Sequence, residues 1–263
     1  MIGPKPLSPQ ICKTTSIKNF IIDIGNIHFF GDHVASEIIG AMEQAIYLIV
    51  TLNPELIEIT IRSLYISLSA TLIASLICIP IGGAIYYYEF YGKRTLINII
   101  QTLYSVPTVI IGLFLFLLIS QEGPLGNLHL LFTPEGMIIG QTLLILPLII
   151  GFTITALVGV SNQIKELAIS LGANASQTII TIIKEARYAI MGAVILGFGR
   201  AISEVGVAIL IGGNIRGFTR VFTTTISLET SKGNIELSIA LGFILLSIAL
   251  IINLMLNYLQ GRE

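Results

Sequence analysis

Arg200 and Glu204 are the residues whose types and spacing best suit chemistry inside an apolar stretch of this sequence. They are four residues apart, so an α-helix places them on one face, where guanidinium and carboxylate form an ion pair. The sequence leaves two interpretations open. The pair is a neutral structural link between helices, or it lines a pathway in which an arriving anion competes with Glu204 for Arg200.

Residue patterns for other kinds of chemistry are absent from the sequence. There is no Gly-x-x-x-x-Gly-Lys-Ser/Thr phosphate loop, so ATP hydrolysis by that device is excluded. Cys12 and Cys78 lie far apart, and no His, Cys or carboxylate cluster has metal-ligand spacing. We therefore predict no catalytic residue, no metal site and no cofactor on this chain. Its net charge of −1 gives no basic face for nucleic acid.

The composition indicates a bilayer as the solvent. Of 263 residues, 54% are hydrophobic and 11% are charged, whereas about 25% are charged in soluble domains. Four uncharged runs exceed the roughly 20 residues that cross a membrane, and a fifth contains the Arg200–Glu204 pair. We predict an all-α integral membrane protein with about five transmembrane helices. The predicted spans are about 60–86, 95–120, 136–160, 188–212 and 237–259.

Lysine and arginine in the short loops set the predicted orientation, because cytoplasmic loops carry the excess. One set of loops holds Lys93, Arg94, Lys165, Lys184, Arg187 and Arg262, and the other holds Arg216, Arg220 and Lys232. Segment 161–187 and the C-terminus are therefore predicted to be cytoplasmic. Residues 214–235 and the N-terminus are predicted to lie outside a prokaryotic plasma membrane.

The N-terminal region is predicted to contribute little to the fold. Residues 1–41 are interpreted as a poorly ordered extension, since Met42 precedes the first patterned segment as a natural start. The apolar run within residues 42–57 is too short to cross a membrane, and this segment is predicted to form an interfacial helix. The transmembrane domain is then 58–260.

Segment 161–187 is long for a connection but has a helical pattern. Ile164, Leu167, Ala168 and Leu171 form an apolar stripe. Gly172 is predicted to end the first helix in a left-handed conformation, and Ser176 to cap a second helix. This helix-turn-helix fits either a partner protein or the lipid headgroups, and the pattern alone leaves both open.

The same segment resembles the Glu-Ala-Ala loop of bacterial ABC importer permeases. Glu166-Leu167-Ala168 is followed by Gly172 and, ten residues later, Ile182; Lys184 and Glu185 stand where Leu and Pro are typical. In that family the loop supplies the coupling helix that docks onto a separate ATPase. By position, the resemblance implies ATPase-coupling roles for Glu166, Leu167, Ala168, Gly172 and Ala173.

Further motifs narrow the resemblance to the molybdate, tungstate and sulfate permeases. The matching stretches are Gly199–Gly206, Gly213–Arg220, Val106–Gly112 and Gly123–Gly126. The run from Gly197 to Glu229 looks most like the tungstate branch. The resemblance implies a molybdate-type permease fold and an ATP-driven oxyanion importer. Its implied pathway or gate residues are Pro107, Thr108, Arg200, Glu204 and Asn214, and Arg216 and Arg220 are candidates for anion steering or binding-protein docking outside.

The resemblance also implies the partners. They are a second copy of the chain, a cytoplasmic ATP-binding-cassette ATPase dimer that holds ATP and Mg, an extracytoplasmic oxyanion-binding protein, and membrane lipid. Alternatives are an ion-coupled secondary transporter, a membrane-anchored assembly subunit, or a permease of the same family that carries molybdate or sulfate. Dependence on a cytoplasmic ATPase separates the first two alternatives from the leading interpretation.

Overall fold

The computed structural model describes residues 39–260, without the side chains of 255–257, 259 and 260. Predictions that fall on residues 1–38 lie outside this range. The described residues form helices joined by short loops and contain no strand. The helices are α1 Ile39–Val50, α2 Pro54–Tyr87, α3 Lys93–Leu103, α4 Thr108–Ile119, α5 Pro134–Val158, α6 Asn162–Ser170, α7 Ala175–Glu185, α8 Arg187–Ile202, α9 Gly206–Gly212, α10 Phe222–Ser231 and α11 Ile235–Gln260, with a 3-10 turn at Gly126–Leu128.

Two of the apolar segments that are predicted as single spans are bent. Among the described residues, α2, α5 and α11 are each long and apolar enough to cross a membrane. The pairs α3–α4 and α8–α9 qualify only together, and they bend by 95° and 56°. The count is therefore three spans, or five if each bent pair is one span. This agrees with a prediction of about five but divides the intervals 95–120 and 188–212.

Each bend coincides with a local feature of the chain. Pro107 lacks a backbone N–H and immediately precedes α4, where its missing donor costs nothing. At the second bend the carboxylate of Glu204 accepts a hydrogen bond from the backbone N–H of Val207 at 3.0 Å. That side chain replaces a helical carbonyl as the acceptor, so the chain leaves α8 and starts α9 in a new direction.

The unbroken helices α2 and α5 pack along each other at the centre of the fold. Some buried hydroxyls of α2 and α5 bond inside their own helices: Ser63 donates to the carbonyl of Ile59, and Thr142 to that of Ile138. Gly82 of α2 lies against Thr153 of α5, where a methyl group would come within 2.9 Å of Thr153 Cγ2. Close backbone approach of this kind is how helices associate in lipid.

Helix α8 packs against both α5 and α2, and small residues lie in the contact. Ala193 and Ala201 are buried, and Gly197 lies on Ile149. The four-residue spacing of these small residues therefore serves helix packing, as the sequence pattern predicts.

The N-terminal part of the described chain departs from the predicted boundaries. α1 covers Ile39–Val50, and residues 51–53 separate it from α2. Asn53 caps α2 by accepting from the N–H of Glu55 at 2.9 Å, and Pro54 opens the helix. The predicted interval 42–57 therefore contains the end of one helix and the start of the next. A location of α1 at the membrane interface stays a prediction.

Candidate functional site

The two helix breaks touch each other. Gly206, the first residue of α9, lies against the first turn of α4 so closely that an added methyl group would be 3.0 Å from Thr108 Oγ1. The same methyl group would be 3.2 Å from the backbone nitrogen of Val109. Pro107 and Thr108 at one break thus adjoin the segment that carries Glu204 at the other. The structure therefore brings Thr108, next to Pro107, close to the segment that carries Glu204, and Glu204 in turn binds Arg200.

Arg200 and Glu204 form the predicted ion pair, with Arg200 Nη1 2.9 Å from Glu204 Oε2. The two side chains differ in access, since that of Glu204 is 1% exposed and that of Arg200 is 37% exposed. Glu204 is fixed further by the N–H of Val207, and its carbonyl accepts from Thr223 Oγ1 at 2.6 Å. An anion that reached this site would therefore contact Arg200, while Glu204 stays buried behind it.

Asn214 lies elsewhere, beyond the far end of α9. Its backbone has φ of 52°, a left-handed conformation that Asn tolerates better than most residues. Its side chain closes a loop with Thr224: Oδ1 accepts from Thr224 Oγ1 at 3.0 Å, and Nδ2 donates to the Thr224 carbonyl at 3.2 Å. The structure therefore places Asn214 in a turn and does not bring it to the helix breaks.

Arg216 and Arg220 both bind a carboxylate that sequence reasoning missed. Glu55, in the first turn of α2, is 2.6 Å from Arg216 Nη2 and 3.1 Å from Arg220 Nη1. The Arg216 side chain is 71% exposed, whereas that of Arg220 is 10% exposed and also lies 3.9 Å from Glu229. Of the two, only Arg216 therefore presents its charge to the solvent.

Glu229 of α10 completes this charge network. The pKa of Glu229 is lowered from its ordinary value, first by the hydrogen bond that Lys232 donates at 2.9 Å. Burial opposes that shift, while the amide of Asn234 and the charge of Arg220 lower the pKa further. The i, i+3 spacing of Glu229 and Lys232 is a signal that the sequence offered for this pair.

The predicted coupling residues build a turn and an exposed face on α6. Gly172 has φ of 83°, and its N–H donates to the carbonyl of Ile169 at 2.9 Å. The N–H of Ala173 donates to the carbonyl of Ala168 at 3.1 Å, which completes a Schellman end to α6. Ala168 is buried, whereas Glu166 and Leu167 are exposed and available to a partner.

The cap of the second helix differs from the prediction. Ser176 lies within α7, and Asn174 is the N-cap. Asn174 Oδ1 accepts from the N–H of Gln177 at 2.9 Å, and Gln177 Oε1 accepts from the N–H of Asn174 at 2.8 Å. The prediction of Ser176 was wrong because this reciprocal capping box favours the residue three positions before a Gln or Glu.

A family profile described as a binding-protein-dependent transport system inner membrane component matches residues 77–263. The chain belongs to this family. It is 41% identical over 203 residues to a probable anion ABC transporter permease protein of Haloferax volcanii, which covers 75% of this chain and 88% of the relative. It is 39% identical over 229 residues to the tungstate uptake system permease protein TupB of Peptoclostridium acidaminophilum, covering 87% and 99%.

A solved structure agrees with the fold of this family. The crystal structure of a bacterial ABC transporter involved in the import of the acidic polysaccharide alginate superposes with a TM-score of 0.64 at 18% identity. The match covers 92% of this chain and 94% of the other. The chain is therefore an ABC importer permease, a multi-pass inner membrane subunit rather than an enzyme. Its expected fold and family are confirmed.

Proposed function

We propose that this permease imports a tetrahedral oxyanion, tungstate first, through a pathway that includes the joined helix breaks. The observation that carries the proposal is the Arg200–Glu204 pair, in which a buried, fixed carboxylate holds a half-exposed guanidinium. The similarity to a tungstate uptake permease over 87% of the chain supports tungstate as the cargo.

The chemistry of the pair suits transit better than storage. An unpaired buried arginine would hold a dianion strongly, because there is little water to compete with the charge. With Glu204 at 2.9 Å, part of that attraction is already used, and an anion has to share Arg200 with the carboxylate. A transport site must bind its ion strongly enough to admit it and weakly enough to release it.

The partners of this importer follow from the family and from the exposed surfaces. A cytoplasmic ATPase dimer, which holds ATP and Mg, docks on α6 through exposed Glu166 and Leu167. An oxyanion-binding protein docks outside, where Arg216 presents its charge. Two copies of the chain enclose the pathway in the lipid bilayer, with the N-terminus outside and the C-terminus in the cytoplasm.

Uptake of radiolabelled tungstate tests the cargo and the pathway together. Cells that lack the permease gene are complemented with wild-type protein, with Arg200→Gln, or with Arg94→Gln as a matched control outside the breaks. We expect Arg200→Gln to abolish most uptake at normal protein levels and Arg94→Gln, at an exposed position of α3, to retain most of it. Normal uptake by Arg200→Gln would remove the pair from the pathway.

A permease for molybdate or sulfate is the second candidate, supported by 25% identity to a sulfate transport system permease of Escherichia coli. Competition decides between the cargoes. Excess unlabelled tungstate should suppress the labelled signal, and excess sulfate should leave it. Uptake that persists with a hydrolysis-deficient ATPase partner would instead favour the ion-coupled class.

Gly172 tests the coupling face independently of the pathway. Gly172→Leu places a bulky residue at φ of 83°, whereas Gly242→Leu adds the same side chain at a helical position with open space around it. We expect Gly172→Leu to lose uptake while still reaching the membrane, and Gly242→Leu to retain it. Equal uptake by the two variants would contradict a coupling role for the turn.

A further inference from the structure

The coupling hairpin, residues 161–187 with helices α6 and α7, rests on α2 in addition to its covalent links to α5 and α8. Helix α6 packs against α7, and α7 packs against α2 and α8. Ile182 and Ile183 of α7 share an apolar cluster with Ile79 and Tyr86 of α2. A displacement of α6 is therefore passed to α7, and α2 is one of the two helices that receive it.

Gly83 is the position at which α7 packs against the backbone of α2. A methyl group added at Gly83 would lie 2.9 Å from Ile179 Cγ2 and 3.0 Å from Ile183 Cδ1. These separations are shorter than van der Waals contact, so glycine alone lets the two isoleucines reach the α2 backbone. Neighbouring Gly82 is equally tight but faces α5, where Thr153 would meet the added group at 2.9 Å.

A second contact joins α6 itself to the end of α2. Lys165 Nζ lies 4.9 Å from the centroid of the Tyr87 ring, within the range of a cation–π interaction. Lys165 also interacts electrostatically with Glu89, just beyond α2. The pKa of Glu89 is lowered mainly by its hydrogen bond with Lys93 and only slightly by the charge of Lys165. Both helices of the hairpin are thus attached to the same end of α2.

The opposite end of α2 is attached to the outer loop 213–221. The helix runs unbroken for 34 residues, about 51 Å at the usual rise. At its outer end Glu55 binds Arg216 and Arg220, and Arg62 Nη2 donates to the carbonyl of Gly217 at 2.8 Å. One continuous helix therefore contacts both the ATPase-facing hairpin and the outer loop.

We propose that Gly83, Tyr87 and Lys165 are positioning residues for ATP coupling, because they attach the coupling hairpin to α2 and so make its displacement move the outer loop 213–221. These residues lie outside the Glu-Ala-Ala-like motif. The inference rests on the proposed ATP-driven import. It assigns α2 the transmission of movement along the membrane normal, and it requires that the hairpin and α2 move as one body.

The test is the number of ATP molecules hydrolysed per tungstate imported by the complete transporter in proteoliposomes. We expect Gly83→Ala to raise this ratio by at least about twofold, the low end of measured coupling effects. Gly82→Ala is the matched control, since it disturbs α2 equally but faces α5. It should lower thermal stability without changing the ratio. A ratio that is unchanged in Gly83→Ala, or raised equally in both variants, would overturn the inference.

Two further variants test the contacts one at a time. Ile179→Ala in the Gly83→Ala background removes the side chain that the new methyl group meets, and should restore the ratio toward wild type. Lys165→Arg keeps the charge above Tyr87 and should keep the wild-type ratio, whereas Lys165→Met should raise it. If Ile179→Ala does not restore the ratio, and Lys165→Arg and Lys165→Met do not differ, the contacts only support the fold.

The outcome for the wild-type protein separates this inference from the proposed function. If wild-type proteoliposomes import no tungstate with active ATPase and binding protein, the proposed cargo fails. In that case the ATPase activity of the variants still tests the contact between α7 and α2 at Gly83. A displaced hairpin changes how strongly the permease stimulates ATP hydrolysis by its partner. Gly83→Ala with stimulation equal to that of Gly82→Ala would then overturn the inference.

Discussion

The apolar helices of this permease differ in continuity, and the difference separates packing from candidate chemistry. Helices α2 and α5 run unbroken and carry no charge between their ends except Glu58 and Arg62 near the N-terminal end of α2. The pairs α3–α4 and α8–α9 are interrupted, and the Arg200–Glu204 pair lies at the second interruption. Non-helical backbone at membrane depth is tolerated only where protein or a water-filled cavity surrounds it.

The comparison teaches why the charged pair lies where it does. In an unbroken helix each interior N–H already has a carbonyl acceptor, so a buried carboxylate would have no backbone partner. At the break, the N–H of Val207 is free to bind Glu204 Oε1, and Arg200 binds the other oxygen. The interruption thus supplies hydrogen bonds that offset the free-energy cost of burying the carboxylate.

The largest expected effect comes from removing Glu204. Glu204→Ala leaves Arg200 without its partner and the N–H of Val207 without an acceptor, so we expect a loss of about 3–5 kcal/mol in unfolding free energy. The measurement is denaturant unfolding of the purified protein in detergent. Ser203→Ala, which removes only a hydroxyl bound within its own helix, is the control. A loss below about 1 kcal/mol for Glu204→Ala would break the comparison, since such a value is typical of exposed pairs.

An intermediate effect is expected where the two breaks touch. Gly206→Ala brings a methyl group to 3.0 Å from Thr108 Oγ1 and 3.2 Å from the Val109 nitrogen, so the breaks have to separate. Overpacking of this kind costs about 1–3 kcal/mol. The same change at Gly199, which has open space around it, should leave stability and tungstate uptake near wild type. Equal behaviour of the two variants would mean that the breaks do not depend on this contact.

The smallest expected effect is a pH dependence at Glu229 of α10. The pKa of Glu229 is lower in the folded protein, mainly because of Lys232, so the folded state holds the carboxylate ionised. The resulting stability is present above the unfolded glutamate pKa of about 4.3 and is lost as the pH falls through the lower folded value. The difference in Tm between wild type and Glu229→Gln should therefore shrink on acidification. A difference that grows instead would reverse the assigned sign.

Continuity itself is the feature that the sequence reveals least. Uncharged runs predict where apolar helices lie, and the four-residue spacing predicts the Arg200–Glu204 pair. Neither pattern shows whether an apolar segment is one helix or a bent pair of helices. Proline does not decide this either: Pro107 lies at a 95° bend, while Pro80 and Pro147 lie inside continuous helices. Whether a proline breaks a helix depends on what packs around it, and Thr108 and Val109, directly after Pro107, pack against Gly206, nearly 100 positions away in the chain.

Long-range partners explain the other omissions. Glu55 meets Arg216 and Arg220 across separations of 161 and 165 residues, so no local pattern announces it. The packing contact at Gly83 likewise joins two helices, α2 and α7, that are distant in sequence. The cap of α7 is different, because Asn174 and Gln177 form a local signature that could have been preferred over Ser176 from the sequence.

The most direct test of the central account is the chemical accessibility of Ser203, an exposed residue at the second break. Ser203→Cys, with Cys12 and Cys78 replaced by alanine, is treated with a small charged thiol reagent in the assembled transporter, with and without tungstate. The control is Leu76→Cys, which is exposed on the unbroken helix α2. If the breaks line a water-filled anion pathway, Ser203→Cys reacts, tungstate slows that reaction, and Leu76→Cys stays unreactive in lipid. An unreactive Ser203→Cys, or one that tungstate does not protect, would contradict the account.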